Sequence, residues 1–311
     1  MPSAGIHPDA TEVTGKTTLM RSLLFVPADS PKKLDKAMTS GADALIIDLE
    51  DSVAFDGKAK ARESAAAFLK SAMPQAQRPY IMVRVNALQT GLTDADLDAI
   101  APAKPDAIML PKAEGGASIM HADAKLSVRE AINGLPDGHI RIFAIATETA
   151  ASLFVAGTYA GSSARLSALT WGAEDLSAEL GAQANRDADG NFLDPYRLAR
   201  VLCLAGAAAA QVPAIDTVYV DFRNNDGFRR ECEEAVRDGF VGKMAIHPAQ
   251  VPIINEVFMP SAEAVKHAQS IIDAFAANPG AGVVNIGGVM FDQPHLTRAK
   301  RWLNQTKTAR P

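Results

Sequence analysis

Short apolar runs recur along this chain, each closed by a polar or turn-forming residue. They read LLFVPA (23–28), ALIIDLE (44–50), YIMVRVN (80–86), AIMLPK (107–112), RIFAIATE (141–148), ALTWGAED (168–175), DTVYVDF (216–222) and GKMAIHP (242–248). Val, Ile, Leu, Ala and Met follow one another in them with little alternation. Strands buried on both faces look like this, as in a parallel sheet covered by helices. Helical patterns fill the gaps. SPKKLDKAMTSGAD offers Ser30 as N-cap, Pro31 at the first helical position and Gly41 near the stop. GKAKARESAAAFLKSA is rich in strong helix formers, DPYRLARVLCLAGAAAAQ begins on Asp-Pro, and DGFRRECEEAVRDGF ends at Gly239.

Eight strand-then-helix units predict an α/β chain folded as a (β/α)8 TIM barrel. An open doubly wound sheet is the alternative, and no dinucleotide-binding fingerprint supports it. The expected organisation is a flexible N-terminal arm (1–18), a catalytic barrel (19–260) and a C-terminal lid or oligomerisation extension (261–311). In that extension, helical patterns give way to the Gly-rich AGVVNIGGVMFDQPHLTRAKRWLNQTKTARP.

Composition narrows the function classes. A formal net charge of −5, with no clustered Lys and Arg, argues against a nucleic-acid surface. No apolar run approaches the roughly 20 residues that cross a bilayer, and the N-terminus has no apolar signal core. Cys203 and Cys232 have neither metal-ligand spacing nor a disulfide framework, which suits a reducing cytoplasm. GKTT at 15–18 resembles part of a phosphate loop, but Ala10 stands where its upstream glycine belongs and no strand precedes it.

In a barrel the chemistry sits at the C-terminal ends of the strands. Those ends carry Asp29, then Asp48, Glu50 and Asp51, then Arg84 and Asn86, Lys112, Glu148, Glu174 and Asp175, Asp221 and His247. So many charges on one rim would each cost several kcal/mol to bury unpaired. Mutual compensation around a metal and an anionic substrate is the economical reading. Glu148 and Asp175 end successive runs, and two carboxylates with open positions suit Mg²⁺. The alternative is a buried ion pair with Arg84 or Lys112. Arg84 offers a planar fork of donors to a carboxylate or an oxyanion, and could also bridge to Glu50 or Asp51. Lys112 in a Schiff-base role is disfavoured, because neighbouring carboxylates keep it protonated. His247, beside Ile246, is either a base or a hydrogen-bonded structural histidine. Strand alternation makes Asp48 a structural partner.

Together RSLLFVPADSPKKLDKA, ALIIDLEDSV, MVRVN, MLPKAE, ATETA, WGAEDLSAELGA, GKMAIHPAQV and GGVMFDQPHLTRA resemble the citrate lyase beta-subunit-like family of the HpcH/HpaI aldolase superfamily, which includes malyl-CoA and citramalyl-CoA lyases. The resemblance runs from about Arg21 to about Arg298. It implies a Mg²⁺-dependent barrel enzyme, cytoplasmic, that makes or breaks a carbon–carbon bond between an acyl-CoA thioester and a 2-oxo acid. By motif, Glu148 and Asp175 bind Mg²⁺, with Glu148 also near the substrate, and Arg84 touches substrate and thioester oxyanion. Lys32 and Lys36 fall on the CoA side, and Phe25 stands where the family often has Tyr. Ile246 and His247 complete the substrate-binding set. Asp292 matches the acid that the lyases supply from a neighbouring subunit, which implies a homotrimer or hexamer. Glu50 or Asp51 is the expected base for the hydroxyl proton. Two departures, Ala87 after RVN and Phe291 beside Asp292, bear on substrate identity. A citryl-thioester lyase subunit that needs an acyl-carrier partner, or a non-catalytic acyl-CoA-binding barrel, are the alternative readings.

Overall fold

The computed structural model describes residues 20–307, so the expected arm and the GKTT segment lie outside the described residues. The chain divides into two compact units, Met20–Asn255 and the residues from Glu256 onward. In the first, eight parallel strands alternate with helices: β1 (Ser22–Pro27), α1 (Pro31–Ala37), β2 (Ala44–Asp48), α2 (Lys58–Ala72), β3 (Tyr80–Arg84), α3 (Thr93–Ile100), β4 (Ala107–Leu110), α4 (Gly116–Ile132), β5 (Arg141–Ile145), α5 (Ala150–Leu153), β6 (Leu166–Thr170), α6 (Ala173–Leu180), α7 (Asp194–Ala209), β7 (Ile215–Asp216), α8 (Asn225–Asp238), β8 (Gly242–Ala245) and α9 (Val251–Val257). The sheet order is β6-β5-β4-β3-β2-β1-β8-β7, and a parallel bridge between Leu169 and Ala214 joins its two ends. This is the (β/α)8 barrel.

The helix signals hold with small shifts. α1 starts at Pro31 but stops at Ala37, short of Gly41. α8 ends where Gly239 turns left-handed at φ 109°. The strand runs were read too long at their C-terminal ends. β7 is the extreme case, with two paired residues, so the polar residue at its end is Asp216 rather than Asp221.

Alternation along the strands builds the interior. Leu23, Ala44, Ile46, Met82, Ala107, Met109, Phe143, Ile145, Ala168 and Met244 fill the barrel's axis. Two residues beyond Ile46 and Met82, the same period turns Asp48 and Arg84 inward. They are direct partners in the β2–β3 register. The polar top layer is therefore a continuation of the packed core, set by strand geometry.

A second charge cluster lies between β7, β8 and α8, with Asp216 and Lys243 fully buried at its centre. The Nζ of Lys243, 0% exposed, donates to Asp216 Oδ2 at 2.7 Å and to Glu231 Oε1 at 2.8 Å. Arg186 reaches Glu231 at 2.7 Å, and Trp171 Nε1 donates to Asp216 Oδ1 at 2.7 Å. Arg200 Nε lies 3.5 Å from Asp216 Oδ1, so two carboxylates and three cations satisfy one another there, which is the condition for keeping charge in the interior.

The unit from Glu256 holds α10 (Ala262–Ala277), the antiparallel hairpin β9 (Val283–Ile286) and β10 (Val289–Asp292), and α11 (Gln293–Lys307). The hairpin was not foreseen, although two apolar runs flanking Gly287-Gly288 carry its signal. Both glycines take positive φ, 60° and 87°, as a two-residue hairpin turn of type I′ requires. Phe291 packs into this unit's own core with Ile271, Phe275 and Val284.

Replacing Lys243 by Met removes the buried cation that bridges Asp216 and Glu231 and leaves them only the peripheral Arg200 and Arg186. The expected loss is about 3–5 kcal/mol of unfolding free energy, read by urea denaturation. A change within about 0.5 kcal/mol, the size of an ordinary surface substitution, would show that the cluster is not a structural keystone.

Candidate active site

A cavity of about 340 Å³ opens at the C-terminal ends of the strands. Phe25, Asp48, Asp51, Arg84, Glu148, Glu174, Asp175 and Ile246 line it, with Trp171, Gly172, Thr217, Val218 and Met244. Arg84 organises the β2–β3 side. Its Nε and Nη2 donate to Asp48 Oδ1 and Oδ2, both at 2.7 Å, a bidentate fork. Its guanidinium carbon lies 4.7 Å from the centre of the Phe25 ring. Asp48 also accepts from the backbone N–H groups of Glu50 (2.9 Å) and Ser52 (3.2 Å), which fixes the loop after β2. Burial pushes the Asp48 carboxyl up, but the bond and charge of Arg84 outweigh it and hold the carboxyl below its usual range. With two of its five N–H groups on Asp48, Arg84 keeps three for other acceptors.

Glu50 lies between two cations. Lys112 Nζ donates to Glu50 Oε1 at 2.7 Å. Arg84 Nη1 is 3.2 Å from Glu50 Oε2, near enough for an ion pair, yet Oε2 has no hydrogen-bond partner. Burial raises the Glu50 carboxyl, and the charges of Arg84 and Lys112 offset only part of that. Asp51 is more open, 3.5 Å from Lys112 Nζ.

Glu148 does not end β5 itself. Three residues past Ile145, it stands in the turn before Thr149, which with Ser152 forms the capping box of α5. Glu148 is 2% exposed, and its Oε2 accepts the backbone N–H of Lys112 at 2.7 Å. Asp175 lies in the first turn of α6, past the end of β6. Burial first, then the charges of Asp175 and Glu50, push the Glu148 carboxyl well above its usual range. Space around it is tight. A Cβ on Gly172 would sit 3.2 Å from Glu148 Oε1.

The rim charges pair off unevenly. Arg84 neutralises Asp48, the single charge of Lys112 is shared among Glu50 (2.7 Å), Asp175 (3.1 Å) and Asp51 (3.5 Å), and Glu148 has a backbone N–H as its donor, so carboxylates remain in excess. A single divalent cation would supply the missing charge. Among the described residues no three His, Cys, Asp or Glu side chains converge as a metal-binding group. A cation here therefore takes two protein carboxylates, and water or substrate oxygens complete its shell, as Mg²⁺ prefers. The residues present fit that ion.

The remaining sequence-derived candidates lie elsewhere. Lys32 and Lys36 are exposed on α1. His247 accepts the N–H of Ala249 on Nδ1 at 3.2 Å and stacks on Phe222. Ala87 is buried at the start of the turn after β3. Asp292, on β10 of the second unit, is half-exposed and pairs with His295 Nδ1 at 2.5 Å. Trp171, Gly172, Thr217, Val218 and Met244 were not foreseen as lining. Small and apolar residues carry no chemical signal in a sequence; only their place after β6 and β7 and on β8 could have marked them.

Fold and site together define a barrel enzyme with an acidic cation site beside a carboxylate-anchored arginine. The HpcH/HpaI aldolase/citrate lyase family model matches residues 21–248, and the chain belongs to that family. A (3S)-malyl-CoA thioesterase of Cereibacter sphaeroides is 37% identical over 91% of this chain and 93% of the relative. The mitochondrial citramalyl-CoA lyase of Rattus norvegicus is 32% identical over 90% and 84%. The crystal structure of CitE from Mycobacterium tuberculosis in complex with magnesium, acetoacetate and coenzyme A superposes with a TM-score of 0.74. It shares 32% identity and covers 92% of this chain and 98% of that one. The chain is thus an enzyme of the citrate lyase beta, malyl-CoA and citramalyl-CoA lyase group.

Glu148→Gln separates charge from shape. In the metal-free protein a raised carboxyl pKa means the folded state holds a proton that the unfolded chain has lost. Stability therefore falls as pH rises through that pKa. At pH 8 the Gln variant is expected to melt about 1–2 °C above the metal-free parent, the response of a 311-residue chain to roughly 1 kcal/mol. It is also expected to lose stabilisation by added Mg²⁺. A thermal melt in EDTA with the Gln variant at or below the parent would contradict the assignment of Glu148 as the uncompensated charge.

Proposed function

We propose that this enzyme is a Mg²⁺-dependent carbon–carbon lyase that cleaves, and in reverse forms, a 3-hydroxyacyl-CoA such as malyl-CoA or citramalyl-CoA. The products are an acyl-CoA and a 2-oxo acid. The observation that carries this reading is the juxtaposition, in one cavity, of a buried Glu148 with no side-chain cation, an Asp175 that shares one lysine with Glu50 and Asp51, and an arginine with donors beyond its two bonds to Asp48. When bound, Mg²⁺ on Glu148 and Asp175 acts as a Lewis acid toward the 2-oxo acid's carboxylate and carbonyl.

Arg84 supplies the complementary half. Cleavage leaves the thioester fragment as an enolate, and the free N–H groups of Arg84 can donate to its oxygen. Asp48 holds the guanidinium in place, so little reorganisation is needed as charge develops. Glu50 or Asp51 takes the hydroxyl proton in this reading. Burial raises the Glu50 carboxyl, which suits it to accept a proton. Asp292, supplied by a neighbouring subunit of a homotrimer or hexamer, protonates the enolate carbon. Its pairing with His295 holds the carboxyl below its usual range, which favours the ionised form that removes this proton in the condensation direction. The exposed Lys32 and Lys36 are offered to the CoA phosphates. No helix among the described residues is long and apolar enough to cross a membrane, and both cysteines are free and buried, which supports a cytoplasmic setting.

The relative named as a malyl-CoA thioesterase favours a second reading, hydrolysis of the thioester. Incubating the protein with malyl-CoA, citramalyl-CoA and citryl-CoA distinguishes the two. Lysis releases a 2-oxo acid and an acyl-CoA, whereas hydrolysis releases free CoA thiol and the intact hydroxy acid. The expected result is the 2-oxo acid, abolished by EDTA. Thiol alone, or no product from any thioester, would overturn the lyase reading. Arg84→Lys is expected to lower kcat about 10²–10³-fold, the usual cost of one oxyanion donor. Asp292→Asn is expected to abolish turnover and leave Mg²⁺ affinity unchanged by calorimetry.

A further inference from the structure

Lys112 touches four carboxylates at the mouth of the cavity. Its backbone N–H donates to Glu148, and its ammonium reaches Glu50 at 2.7 Å, Asp175 at 3.1 Å and Asp51 at 3.5 Å. It stands just past β4 with φ 49°, a left-handed conformation that side chains other than glycine rarely adopt. That backbone turn aims the N–H at one carboxylate and the side chain at the other three. Strain of this kind persists only where surrounding contacts fix it, and here those contacts are the site itself.

The ammonium lies within ion-pair distance of Asp175, one of the two carboxylates that would hold the metal. We infer that Lys112 is the internal counter-ion of this site: its ammonium neutralises Asp175 while the metal is absent, and Mg²⁺ must displace it from Asp175 to bind. This rests on the reading of Glu148 and Asp175 as the metal pair. Glu50 keeps the ammonium in both states, because the Glu50 bond is the shorter and belongs to a residue outside that pair. Lys112 is thus a positioning residue. It prevents the empty site from carrying two bare carboxylates, and it sets how tightly the cation is held. The N–H bond to Glu148 comes from the backbone and survives any side-chain change.

The test is Mg²⁺ titration by calorimetry of the full-length protein and of Lys112→Met, with folding checked by circular dichroism. The Met variant is expected to bind Mg²⁺ about fivefold or more tightly than the parent, the equivalent of a part-buried ion pair of roughly 1 kcal/mol. Lys112→Arg keeps the charge and is expected to stay within about twofold of the parent, below 0.5 kcal/mol. If the Met variant does not fold, Lys112→Gln, which keeps a polar head for Glu50, carries the same expectation. Equal or weaker binding by the charge-free variant overturns the counter-ion role while leaving the metal pair standing. No Mg²⁺ binding by the parent overturns the metal reading and this inference with it.

Discussion

Everything at the barrel mouth follows from the burial of more carboxylates than the chain supplies cations for. Arg84 and Asp48 face each other because β2 and β3 pair in register and alternate in phase, and their two bonds of 2.7 Å consume each other's charge. Lys112 goes chiefly to Glu50. Glu148 is left 2% exposed, with a backbone N–H as its hydrogen-bond donor and Asp175 close enough to raise its pKa. A folded protein tolerates such an arrangement when something outside the chain completes it. The charge balance of the site would be completed by a divalent cation of the kind seen in the family's magnesium complexes.

The same accounting explains the division of labour in the proposed reaction. Glu148 and Asp175 would hold a cation, which would supply Lewis acidity toward a carboxylate and its neighbouring oxygen, the shape of a 2-oxo acid. An arginine braced by Asp48 and lying over Phe25 offers donors on the other side, where an enolate oxygen would form. Beneath, Trp171 ties the cavity wall to the buried Asp216–Lys243–Glu231 cluster. The wall is thereby anchored in the most strongly bonded part of the barrel, a rigid backing that precise placement of reacting groups requires.

Much of this was legible in the sequence, for a physical reason. Buried parallel strands need unbroken apolar runs, and charge at the ends of such runs has few explanations. The barrel, the charged rim and the pairing of Asp48 as a structural partner could all be read that way. Glu148 and Asp175 were placed correctly as rim residues, but off the strands, because hydrogen bonding to neighbours sets where a strand stops and apolar composition does not report it. The brevity of β7 has the same origin. The Gly287-Gly288 hairpin was written in the chain but masked by a glycine-rich surrounding. The left-handed turn at Lys112 was not legible at all, since nothing in MLPK calls for it.

The central claim is that one divalent cation sits between Glu148 and Asp175. Crystals grown with Mn²⁺ in place of Mg²⁺, measured at a wavelength where manganese scatters anomalously, test it directly. The account predicts one strong anomalous peak in each barrel mouth, within bonding distance of both carboxylates. No peak there, or a peak held by other residues, would contradict it.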